Sequence, residues 1–172
     1  MEQPATRSLP VVVEGSVDEA VLLRLAEVVG GTIGPVYGRR GKQYIRGRIA
    51  GFNQAAWQEP WLVLVDLDNY DCAPLLLGDW LPSPASHMLL RVAVREVESW
   101  LLADRQAMAG FLAVSTALMP RAPEALADPK LELVNLAKRS RRRAIRQDIV
   151  PRPGSERQGW AHSSAPLPMP PG

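Results

Sequence analysis

Two apolar runs in this chain end in carboxylates: Val11-Val12-Val13 leads into Glu14-Gly15, and Leu62-Val63-Leu64-Val65 leads into Asp66-Leu67-Asp68. Short, continuously aliphatic runs rich in valine mark strands covered on both faces, as in a parallel sheet. Parallel strands need long crossover connections, most often helices, so the pattern constrains the chain to an α/β architecture. In such a sheet ligands bind beyond the carboxyl ends of the strands, where Glu14, Asp66 and Asp68 stand. Three carboxylates converging on that edge repel one another unless a divalent cation lies between them. Oxygen ligands of this type suit Mg²⁺ or Mn²⁺, and alternate positions on an extended segment put Asp66 and Asp68 on one side. The competing interpretation is plainer. Asp66, Asp68, Asn69 and Asp71 then form an acid-rich turn that ends a strand, and Glu14 is a surface residue.

The remaining segments fit the same architecture. A strand over 9–15 leads to Ser16, a helix N-cap whose capping box is completed by Glu19. That helix runs to about Val29 and stops at Gly30-Gly31. A second strand is expected over 32–37, then a basic loop Gly38-Arg39-Arg40-Gly41-Lys42 and a helix over 43–56. Residues 61–67 form the third strand, and a loop with Pro74, Pro82 and Pro84 has room for one helical turn. A fourth strand over 87–94 precedes a helix over 96–111, with Val97, Trp100, Leu101, Met108 and Leu112 as core positions. A short basic helix over 130–146 closes the ordered part. The sum is a Rossmann-like sheet of about four mainly parallel strands flanked by helices, with right-handed crossovers. A single domain over 1–153 is expected, followed by a Pro-, Ser- and Gly-rich tail over 154–172 that reads as disordered.

Net charge is only +2, but its distribution is uneven. Five basic residues and no acid lie between Arg39 and Arg48, and eight basic residues against two acids lie between Lys138 and Arg157. The intervening span from Ile49 to Ala137 holds five basic and eleven acidic residues. An acidic centre between basic segments suits a metal site with phosphate-contacting arms. The candidate nucleic-acid contacts are Arg39, Arg40, Lys42, Lys130, Arg141, Arg142 and Arg143; solvated surface charge is the alternative. The lone Cys72 excludes an internal disulfide and a cysteine-rich zinc site. With no apolar run of spanning length and no signal-type start, a cytoplasmic protein without a membrane partner is expected. His87 and His162 are isolated and read as neither ligand nor base.

After the strand at 87–94 comes Arg95-Glu96-Val97-Glu98-Ser99-Trp100. Glu98 is a candidate further metal ligand; with a helix beginning between them Glu96 and Glu98 cannot easily point the same way, and one of the two reads as a first-turn residue favoured by the helix dipole. Trp100 reads as a core anchor.

Glu-Gly-x-x-Asp (Glu14, Gly15, Asp18) after one strand and Asp-x-Asp (Asp66, Asp68) after a later one resemble the TOPRIM domain of topoisomerases, bacterial primases and OLD-type nucleases. More closely, the chain resembles a family of small bacterial TOPRIM-like proteins, over roughly residues 9–153. Further carriers are Arg95-Glu96-Val97-Glu98-Ser99-Trp100-Leu101-Leu102-Ala103-Asp104 and Asp128-Pro129-Lys130, of which the Glu98-x-Trp100-Leu101-Leu102-Ala103-Asp104 stretch is the more specific. The resemblance implies Glu14 as general acid/base or metal-assisting carboxylate, Asp66 and Asp68 as Mg²⁺ ligands, and Glu98 at a second metal position. The implied activity is metal-dependent phosphodiester hydrolysis of DNA or RNA, with an ATPase partner and a role in phage defence. Beyond Gly159 the family-like pattern gives way to Trp160-Ala161-His162-Ser163-Ser164 and a proline-rich end, which suggests a truncated or frame-shifted C-terminus.

Two other readings compete. A haloacid-dehalogenase-type phosphatase would use Asp66 as nucleophile and Asp68 as acid/base, although Tyr70 stands where that type carries Thr or Val. A non-catalytic TOPRIM-like subunit would keep the acids as scaffold and use the arginine-rich helix to dock a partner, RNA or a second copy.

Overall fold

The computed structural model describes residues 8–152. Strands β1 (Leu9–Val13), β2 (Ile33–Gly38), β3 (Trp61–Asp66) and β4 (Met88–Ala93) alternate with helices α1 (Ser16–Val28), α2 (Lys42–Ala55) and α3 (Ala73–Trp80). The strands form one parallel sheet in the order β2-β1-β3-β4, flanked by helices in a Rossmann-like arrangement. The order explains the sequence pattern. β1 is paired on both sides, Val12 opposite Tyr37 of β2 and Val63 of β3. Val11, Val12, Val13, Val63 and Val65 are fully buried, so neither central strand has a solvent face on which to alternate. β2 lies at an edge, which is where Pro35 does least harm to the ladder.

The described residues divide into two compact units, 8–92 and 93–152. The second holds α4 (Val97–Ala103), α5 (Arg105–Leu112), α6 (Pro129–Lys138) and α7 (Arg143–Ile149), with short 3₁₀ turns at Thr116–Leu118 and Pro123–Ala125. Its own core comprises Leu102, Met108, Leu112, Leu133, Leu136, Ile145 and Ile149.

Several expectations need correction. The helix expected over 96–111 is two helices, because the Asp104 side chain accepts from Ala107 N–H and caps a new start. The helix expected over 130–146 is also two. Ser140 is buried in the break, and its hydroxyl accepts from Arg142 N–H at 3.0 Å. Residues 73–80 form a true helix with proline in its first turn, a position that starts helices rather than breaking them. The N-cap of α1 is Gly15, not Ser16, and Asp18 rather than Glu19 reaches back, accepting from Gly15 N–H at 2.8 Å. Trp100 is 38% exposed and is not a core anchor. α4 turns Val97, Glu98 and Leu102 inward, and Trp100, two residues on from Glu98, falls on the far side. The expected tail over 154–172, with His162 and the altered C-terminus, lies outside the described residues. Among the described residues no helix is long and apolar enough to cross a membrane.

Candidate metal and phosphoryl-transfer site

The sheet order reverses direction between β1 and β3, since the chain runs from β1 out to β2 and then returns to the other side for β3. A crevice opens at such a switch point in open α/β sheets. Glu14 directly follows β1 and Asp66 ends β3, so the two acidic motifs meet there. Asp66 N–H donates to Glu14 Oε1 at 2.9 Å, tying together residues 52 apart in sequence.

The loop after β2 folds over the same edge. Arg39 N–H donates to Val13 O at 2.8 Å and Gly41 N–H to Glu14 O at 3.0 Å. These bonds deliver Lys42, the first residue of α2, onto the Asp66–Asp68 segment. Its ammonium donates to the Asp66 carbonyl and to Asp68 Oδ2, the latter at 2.9 Å. Asp68 sits at φ 51°, the left-handed region that aspartate tolerates better than most residues. Tyr70 N–H closes the turn by donating to Leu67 O at 3.2 Å.

Glu14 is the most perturbed group here. Burial pushes its carboxyl up from an ordinary 4.5 to about 7. The Asp66 hydrogen bond and Lys42 ammonium pull it down, while the carboxylates of Asp68 and Asp18 add to the rise. The folded state therefore holds a proton that the unfolded chain releases between about pH 4.5 and 7, and stability falls as pH rises through that window. Glu14→Gln, whose amide oxygen can still accept from Asp66, is expected to be more stable than the parent at about pH 8 by ~1–3 kcal/mol. The gap should nearly close near pH 4.5. Urea unfolding at the two pH values checks this, and a gap of equal size at both would refute the assignment.

The resemblance implies a metal, and the donor chemistry fits one in part. Asp68 Oδ2 and the Asp66 and Leu67 carbonyls already surround a positive charge, that of Lys42, so hard oxygens are gathered around a cation. Among the described residues, however, no three His, Cys, Asp or Glu side chains stand as a ready metal cage. The Asp66 backbone takes part on both sides, its N–H donating to Glu14 and its carbonyl accepting from Lys42.

Glu98 lies in the second unit, its side chain only 5% exposed, with Oε1 3.9 Å from Lys130 Nζ. Glu98 is the acid in the first turn of α4, whereas Glu96 is its N-cap and accepts from Lys130 N–H at 3.0 Å. Asp128 accepts from Leu131 N–H at 2.7 Å. The Glu96–Glu98 and Asp128–Lys130 stretches are thus joined at the start of α6, a pairing that sequence spacing did not reveal.

Of the remaining basic candidates, Arg39 is paired with Glu19. The Arg40 and Arg48 guanidinium groups lie over the Tyr44 ring, 5.3 and 4.9 Å from its centroid. Arg141, Arg142 and Arg143 are exposed at the turn into α7.

Set against protein-family models, curated proteins and solved structures, the chain matches none. The family resemblance therefore rests on the motifs themselves.

Proposed function

We propose that this chain is a Mg²⁺- or Mn²⁺-dependent phosphoryl-transfer enzyme of TOPRIM type that cleaves nucleic acid. The observation that carries the reading is the meeting of Glu14 with Asp66 and Asp68 at the switch point of a parallel sheet. Asp66, Asp68 and Glu14 are the residues that would hold the ion. When bound, the ion would polarise a phosphate and offset the charge that develops on it.

The chain's own groups supply the rest. Glu14, with its carboxyl near 7, can take or give a proton close to neutral pH, as a general acid/base should. The start of α1 presents backbone N–H groups beside Glu14, favourable for a phosphate oxygen. The exposed Arg141–Arg143 turn is suited to contact the phosphate backbone.

A second reading is favoured by one observation. Lys42 is ion-paired with Asp68, an arrangement that also suits a non-catalytic subunit that keeps the acids as scaffold and works beside a partner such as an ATPase.

Incubation with mixed single- and double-stranded DNA and RNA, with Mg²⁺, with Mn²⁺ and with chelator, separates the two. Metal-dependent cleavage that stops in chelator is expected. Intact substrates under every condition, from folded protein, would favour the scaffold.

A further inference from the structure

Lys42 is held more completely than a surface lysine needs to be. Its ammonium donates to the carbonyls of Asp66 and Leu67 and to Asp68 Oδ2, the last two at 3.4 and 2.9 Å. The rings of Tyr70 and Trp80 also lie against it, with centroids 5.6 and 5.8 Å from Nζ. Those rings are themselves fixed. The Tyr70 hydroxyl donates to Asp79 Oδ2 at 2.8 Å and accepts from Trp80 Nε1 at 3.3 Å, and Arg46 donates to the same Asp79 oxygen. The Lys42 side chain is left only 14% exposed. Three oxygens and two π faces within reach of one ammonium make a built cation site filled by the protein's own charge.

A divalent ion and an ammonium cannot share one carboxylate oxygen without strong mutual repulsion. Mg²⁺ also demands oxygens at about 2.1 Å in near-octahedral order, closer than Lys42 now holds them. We propose that Lys42 is an internal counter-ion that closes the Asp66–Asp68 edge to divalent cations, and that a metal binds there only by displacing it from Asp68. The inference rests on the metal-site reading above and adds a gate to it. Tyr70 and Trp80 form the berth from which the ammonium must move.

Two measurements test the gate. The first is Mn²⁺ calorimetry on the parent and on Lys42→Met, which keeps an unbranched stem against the rings but removes the charge. Lys42→Met should bind Mn²⁺ at least about tenfold more tightly, the scale expected when a competing charged hydrogen bond is removed. The second uses the unmodified protein: amine acylation followed by mass spectrometry, with and without saturating Mg²⁺. Lys42 should be protected without the ion and acylated readily with it. If Lys42→Met fails to fold, this labelling decides alone. Equal Mn²⁺ affinity in the two folded proteins, or Lys42 labelling that ignores bound Mg²⁺, would overturn the gate and leave the metal site standing. Absence of Mn²⁺ binding to both proteins would remove the metal site, and the gate with it.

Discussion

Asp68→Asn is expected to leave the fold intact and to lower metal-dependent cleavage by about 10²–10³-fold, the usual loss when one electrostatic contributor leaves a preorganised site. Asparagine is the informative replacement because it alters little except charge. Asp68 stands at φ 51°, and asparagine tolerates that region as well as aspartate does, so the turn to Tyr70 should survive. What disappears is the negative charge that now binds Lys42 and that would bind the ion. Single-turnover cleavage rates beside far-ultraviolet circular dichroism measure both halves of the expectation. Parent-like cleavage from a folded variant would remove Asp68 from the chemistry.

Gly38→Ala should destabilise the protein by about 2–4 kcal/mol, among the larger effects a single methyl group can have. Gly38 ends β2 opposite Val13 at φ 90°, and a Cβ there would lie 2.3 Å from the Val13 carbonyl oxygen. Neither partner is the tip of a flexible side chain, so β1 and β2 must separate. The first casualty would be the Arg39 N–H to Val13 O bond, next to Glu14. Gly30→Ala is the control, since Gly30 also has positive φ (68°) but nothing within 4 Å of its Cβ position. It should show only the conformational part, about 1–2 kcal/mol. A smaller loss for Gly38→Ala than for Gly30→Ala in urea unfolding would contradict the steric argument.

The central strands were readable because burial on both faces leaves an unmistakable signature, and the carboxylates at their ends followed directly. Helix boundaries were less so. Apolar periodicity runs on through Asp104 and Ser140, and only the local capping bonds at those residues show that the chain restarts. Pro74 stands in a segment whose prolines read as a loop with one helical turn, although proline in a first helical turn is a start signal. Asp18, quoted within the Glu-Gly-x-x-Asp motif, carried the capping role given to Glu19. Lys42 could not have been placed by pattern at all. In sequence it belongs to a basic loop that suggests an outward, phosphate-seeking side chain. Its inward turn depends on the sheet order and on the backbone bonds that pin the loop over Glu14. The same holds for Glu98 and Lys130, which are 32 residues apart in sequence and meet only once α4 and α6 have packed.

Of the four strands of the sheet β1 is the first to be synthesised, yet it occupies the interior. Its valines find one neighbour when residues 33–38 have been made and the other only after residues 61–66. On the ribosome the chain must therefore carry a bare, adhesive segment through the synthesis of some fifty further residues, the interval in which non-local sheets are most open to aggregation. Recombinant yield of this protein should accordingly be governed by chaperone supply during translation.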